Sequence, residues 1–216
     1  MKEDNCITRR VEKLRGYMRR NSLDAFIVPS NDPHMSEYTP AHWQCRQWIS
    51  GFSGSAGTAV ITLGSAALWT DSRYFLAAAQ QLEGTPFALM KDGLPETPTI
   101  GQWLAATLDR GCKVGVDGSI APPAMRGTLE SALSPKGISV VLCGDPFGEV
   151  WENRPALPDD KIKVHPLEYA GESCRSKIQR LLAKAQGAGC DAMLITALDE
   201  IAWTLNLRGS DVECNP

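Results

Sequence analysis

The sequence lacks most of the features that would assign it a chemistry directly. Its seven cysteines (6, 45, 112, 143, 174, 190 and 214) include no CxxC pair. An odd, scattered set argues against a disulfide framework or a zinc knuckle and fits reduced thiols serving as small buried hydrophobes. No apolar run approaches the ~20 residues of a membrane helix, and the opening MKEDNCITRR has no apolar core of the kind a secretory leader needs. Neither Gly-Lys-Ser/Thr nor GxSxG occurs, which removes the P-loop and the nucleophile elbow. The formal net charge is −3, without the basic excess that favours nucleic acid. The expectation is a soluble, cytoplasmic protein with no nucleic-acid or membrane partner.

What is present is globular. The 216 residues, 43% hydrophobic and 22% charged, suffice for one large domain or one and a half ordinary ones. Ile7, Val11, Leu14 and Met18 recur at helical spacing, so Arg9, Arg10, Lys13, Arg15, Arg19 and Arg20 read as that helix's solvated side. DAFIVPS reads as a strand. TAVITL and AALWT read as a hairpin turning at Gly64–Ser65. RYFLAAAQQL is helical, with Asp71 or Ser72 placed to cap it. FALMK, KVGVD and ISVVL are strands, TIGQWLAATL and PPAMRGTLESAL helices. The expected fold class is α/β, a mixed sheet of roughly six strands flanked by helices. Beyond Leu142, prolines 146, 155, 158 and 166 mark an aperiodic linker. A further helix around Ile178, Leu181, Leu182 and Ala185 follows, then the strand DAMLIT and a helix LDEIAWTLNL running to Arg208–Gly209.

The glycines of GFSGSAGTAVIT (Gly51, Gly54, Gly57) look like a phosphate loop. A phosphate loop, however, sets backbone amides at a helix amino terminus, and these glycines run into a strand. Positive φ or close backbone approach is the simpler reason for them. The sequence has only three histidines. His34 and His42, with Asp32, Glu37 and Cys45, match no zinc spacing, and His165 reads as a surface residue. In WTDSRYF, the plain reading packs Tyr74, Phe75 and Leu76 inward. The functional one aims Arg73 and Tyr74 at a peptide carboxylate or carbonyl.

The tail echoes the head. MRRNSLDAFIVPSND and KAQGAGCDAMLITALD both run helix, turn, Asp-Ala, apolar strand and a second Asp, which predicts two copies of one fold. The boundaries read as a complete domain over 1–151, a linker over 152–170 and an incomplete second domain over 171–216. On that reading the chain is a piece of a longer protein.

Several stretches, SNDPHMSEYTPAHWQCRQWISGFSGSAGTAVIT, LWTDSRYFLAAAQQL, MKDGLPETPT, VGVDGS and TALDEIAWTLNLRGSDVECNP, closely resemble the amino-terminal part of the long, three-domain Xaa-Pro aminopeptidases. The resemblance covers nearly the whole chain and implies the creatinase/prolidase amino-terminal fold, a six-stranded sheet of ribonuclease-H-like topology, twice over. It also implies that catalysis belongs to a carboxy-terminal domain missing from this chain. There two divalent metal ions, usually manganese, are held by two aspartates, a histidine and two glutamates, and activate the water that attacks the bond before proline. No part of that ligand set occurs here, so no catalytic residue and no metal ligand is carried over. The resemblance implies a supporting role instead: His34, Arg73 and Tyr74 on the active-site rim, subunit contacts within a homodimer, and proline-containing peptides as substrates of the intact enzyme. The alternative is a stand-alone binding or dimerisation module without peptidase activity.

Overall fold

The computed structural model describes residues 4–214. They divide into two compact units, one taking residues through 33 and 41–155, the other 34–40 and 156 onward.

The first unit opens with α1 (Asp4–Arg20) and β1 (Ala25–Pro29), then α2 (Cys45–Ser50), β2 (Thr58–Thr62) and β3 (Ala66–Thr70). It continues through α3 (Phe75–Gln81), β4 (Phe87–Lys91), α4 (Ile100–Thr107), β5 (Lys113–Asp117), α5 (Pro123–Leu133), β6 (Ser139–Cys143) and α6 (Phe147–Val150). The six strands form one sheet in the order β4-β3-β2-β1-β5-β6. Strand β2 is antiparallel to both β1 and β3, while the β3/β4, β1/β5 and β5/β6 pairs are parallel. The sheet is therefore mixed, as the early hairpin predicted.

Alternation along each strand feeds two cores. Phe26, Val28, Ile61 and Leu68 face one side of the sheet, where the fully buried stripe Val11, Leu14 and Met18 of α1 meets them with Ile49 and Phe52. Ile27, Val60, Trp69 and Val116 face the other side, under Leu104 of α4 and Leu129 and Leu133 of α5. Each such buried side chain contributes about 1.5–3 kcal/mol of transfer free energy. Helix α4 begins with a capping box, Thr99 Oγ1 accepting from Gln102 N at 3.3 Å and Gln102 Oε1 from Thr99 N at 2.9 Å. Pro123 sits in the first turn of α5, where a missing N–H costs nothing.

The stretch read as structureless after Leu142 contains α6, whose Phe147 and Val150 are buried in the first core. The basic side of α1 does more than face solvent. Arg10 donates to Trp48 O at 2.6 Å, Arg15 to Thr62 O at 2.9 Å, and Lys13 and Arg20 pair with Glu152 and Glu149.

The second unit holds β7 (Lys163–Val164), α7 (Leu167–Ala170), α8 (Cys174–Gly187), α9 (Leu198–Leu205) and β8 (Leu207–Arg208), with β7 and β8 forming a two-residue antiparallel pair. Ser173 caps α8 by accepting from Ser176 N at 3.2 Å. Lys177 of α8 is 2% exposed. Its ammonium donates to Trp203 O at 2.8 Å and to Asn206 Oδ1 at 2.7 Å, and lies 4.4 Å from the Trp203 ring centroid. Two expectations fail here. Helix α9 stops at Asn206, whose left-handed backbone (φ 51°) ends it short of Arg208–Gly209, and Leu207–Arg208 pair with β7 instead. DAMLIT forms no strand; Met193 is 46% and Leu194 88% exposed. A strand exists only with a hydrogen-bonded neighbour, and no described residues pair with this segment.

Candidate functional site

In open α/β sheets the crevice outside the carboxyl ends of parallel strands, where successive crossovers diverge, is the usual place for a ligand. Here β1 and β3 end at that edge; β3 crosses over to its neighbour β4, and β4 in turn leads to β5, which pairs with β1 on the other side of β2. The antiparallel β2 lies between them, and the glycine loop leads into β2 at this same edge.

Arg46 of α2 holds this loop. Only 5% exposed, it donates from Nε to Ser30 Oγ at 2.8 Å and from its two terminal nitrogens to the carbonyls of Phe52 and Gly54. Its guanidinium also lies 4.8 Å from the Phe52 ring centroid. Burial pulls the Arg46 pKa down to about 10. Ser30 Oγ in turn donates to Gly57 O at 2.8 Å, and Thr70 Oγ1 donates to Ala56 O at 2.7 Å. The loop thus aims four carbonyls at protein donors, the reverse of a phosphate cradle, in which amides converge on an anion. Gly51 closes α2 in the left-handed region at φ 78°. A Cβ on Gly54 would lie 2.8 Å from Tyr74 Cδ1, and one on Gly57 would lie 2.9 Å from Trp69 O. Close approach is what the glycines serve.

Arg73 and Tyr74 stand beside the loop. The Asp71 carboxylate accepts from Arg73 N at 3.0 Å and from the guanidinium at 2.9 and 2.8 Å. The Arg73 hydrogen bond holds the Asp71 carboxyl below its ordinary value. The Arg73 guanidinium lies 5.3 Å from the Tyr74 ring centroid, and the ring meets Phe52 edge-on at 5.8 Å. Tyr74 Oη and Ser55 Oγ are 2.7 Å apart, and this hydrogen bond lowers the phenol's pKa.

The expected cap is corrected: α3 starts at Phe75 with Tyr74 at the cap position and no side-chain cap, so Asp71 and Ser72 lie ahead of it, and the Asp71 carboxylate holds Arg73 instead. Leu76 does not pack inward; it is 84% exposed. The structure brings Arg73 and Tyr74 together, whereas His34, exposed, belongs to the other unit.

His42 Nδ1 contacts Pro155 O at 2.7 Å, and Arg154 Nε donates to His42 O at 2.8 Å. Cys45 is buried, which pushes its thiol up to about 12. Among the described residues no group of three or more His, Cys, Asp or Glu side chains could hold a metal ion. The described donors therefore do not fit a metal centre. Sequence reasoning missed Arg46, Ser30 and Thr70. The one legible signal was an arginine inside the otherwise apolar face of CRQWIS.

A second feature lies on the α4/α5 side of the same sheet edge, a cleft of about 460 Å³ lined by Trp69, Ile100, Met125 and Leu129 with Asp71 and Asp92.

Residues 10–147 match the model described as Creatinase/Prolidase N-terminal domain, and residues 153–216 match a second model of that description. The chain belongs to the creatinase/prolidase N-terminal domain family. It is 44% identical over 196 residues to the Xaa-Pro aminopeptidase ApepP of Drosophila melanogaster, covering 90% of this chain and 32% of that protein. It is 43% identical over 197 residues to Aminopeptidase P2 of Arabidopsis thaliana, covering 90% and 28%. A crystal structure of X-prolyl aminopeptidase from Caenorhabditis elegans, described as a cytosolic enzyme with a di-nuclear active site, superposes with a TM-score of 0.85. That match is 34% identical and covers 94% of this chain and 35% of that one. The chain thus spans about a third of the length of these relatives, and corresponds to the creatinase-type amino-terminal region of Xaa-Pro aminopeptidases. Among the described residues no helix is long and apolar enough to cross a membrane.

Proposed function

We propose that these residues are the non-catalytic amino-terminal portion of a longer, metal-dependent Xaa-Pro aminopeptidase, which removes the residue preceding proline from peptide amino termini. The observation that carries this is likeness along nearly the whole chain to proteins of that name, 44% over 196 residues in the first case. In this reading residues 1–151 form a first complete domain, 152–170 a linker, and 171–216 the start of a second domain of the same type. The exposed Met193 and Leu194 support the last point, since an apolar strand segment without a ladder fits an unfinished sheet. Two divalent metal ions, manganese in the first instance, belong to the catalytic domain, and the intact enzyme is a cytoplasmic homodimer.

The role proposed for this portion is to shape the active-site entrance and contribute subunit contacts. Arg73 offers a guanidinium that can exchange its intramolecular carboxylate for a peptide's, and Tyr74 offers a preoriented hydroxyl. His34 is proposed as a third rim residue on the other unit. In the full-length enzyme, Arg73→Ala and His34→Ala should raise KM for Xaa-Pro peptides about three- to tenfold, with kcat within about twofold, the pattern of lost uniform binding. Unchanged steady-state constants in both variants would remove them from the rim.

A further inference from the structure

The cleft beneath α4 and α5 borders the end of the glycine loop at Ala56, Gly57 and Thr58, on the face away from Arg46. Its floor is apolar: Trp69, Ile100, Met125 and Leu129. Three of the neighbouring polar side chains are engaged within the protein. The Trp69 indole N–H donates to Pro98 O at 2.8 Å, so the ring presents only carbon to the cleft. Thr70 Oγ1 is bound to Ala56 O, and Thr99 is committed to its capping box. The charged groups lining the cleft are two carboxylates at the ends of two adjacent parallel strands, Asp71 after β3 and Asp92 after β4. Asp71 already holds Arg73. Asp92 is exposed, and the hydrogen bond it shows is from Gly93 N at 3.1 Å. No Lys, Arg or His lines the cleft, so its charge is of one sign.

We propose that this cleft binds a small amphipathic cation, an aromatic or branched aliphatic body seated on the half-buried Ile100 and Met125 over Trp69 and Leu129, with a primary ammonium at Asp92. The size supports this, since about 460 Å³ lies within the ~300–1,000 Å³ of small-molecule pockets. So does the charge complementarity, because an ammonium supplies the donors the carboxylates lack. The site does not depend on the peptidase reading, and its readout is binding rather than turnover.

The test uses the full-length protein and three probes of one shape, phenethylamine, 2-phenylethanol and 3-phenylpropionate, titrated by calorimetry. The amine should bind at least about tenfold more tightly than the alcohol, a difference of about 1.4 kcal/mol, and the carboxylate should not bind. Asp92→Asn, which can keep the Gly93 contact, should reduce the amine to the level of the alcohol. Thr128→Trp, placing a large ring in the cleft, should abolish binding of both, with thermal unfolding reported beside it. Should Thr128→Trp fail to fold, Asp92→Asn alone decides. Equal binding of amine and alcohol, no saturable binding of the amine, or amine binding that Asp92→Asn leaves unchanged would each overturn the proposal.

Discussion

Arg46 carries more of the loop's structure than any glycine in it. Removing it leaves the carbonyls of Phe52 and Gly54 without their donor in a buried setting, so Arg46→Met should cost about 3 kcal/mol, read as a lower urea midpoint. Arg46→Lys should recover less than half, because one ammonium on a flexible stem cannot replace a planar fork reaching three acceptors. Gly57→Ala should cost about 1–3 kcal/mol, since its Cβ would press on the backbone oxygen of Trp69. The hydrogen-bond network around Arg46 was not legible in the chain order. Ser30, Arg46 and Gly57 are separated in sequence, so their hydrogen bonds leave no local pattern, whereas the close approach of the glycines was legible because they run into a strand. Cys45 adds a pH test. Its folded thiol titrates near 12, above the ordinary value of about 8.5. Its stabilising contribution is therefore whole below pH ~8.5 and is lost as pH rises through the folded value. The gap in urea midpoint between wild type and Cys45→Ala should be constant from pH 6 to 8 and shrink by pH 10.5. A gap that widens with pH would contradict the buried, neutral thiol.

At the scale of elements, periodicity was informative where one face of an element is packed. The stripe Ile7, Val11, Leu14, Met18 is buried as spaced, because a 3.6-residue period survives any tertiary context. DAMLIT failed for the complementary reason: strand propensity names a segment fit for a ladder and says nothing of whether a ladder is beside it. The helix α6 was hidden by its length of four residues, too short for a period. It is held by the partners of Trp48, which stacks on Trp151 at 5.2 Å and meets Phe147 edge-on at 5.9 Å. Trp151→Ala should cost about 3 kcal/mol, whereas loss of the exposed Lys13–Glu152 pair should change little. In the second unit, Lys177 ties α8 to the end of α9. Lys177→Met should destabilise that contact by about 2 kcal/mol, visible as roughly 30-fold faster amide exchange over residues 198–206. Unchanged exchange there would mean that the buried ammonium is not what closes the helix.

At the scale of the molecule, the six-stranded mixed sheet is the clearest match between sequence and structure, since each strand lies between turn signals and the hairpin fixes β2 as the antiparallel member. At the carboxyl edge of that sheet the glycine loop turns its carbonyls onto the protein's own donors instead of presenting amides to an anion. The most direct test compares hydrolysis of an Xaa-Pro peptide by residues 1–216 with hydrolysis by the full-length protein, both with added manganese. The predicted result is metal-dependent release of the amino-terminal residue by the full-length protein and none by residues 1–216. Cleavage by residues 1–216, or none by the full-length protein, would contradict it.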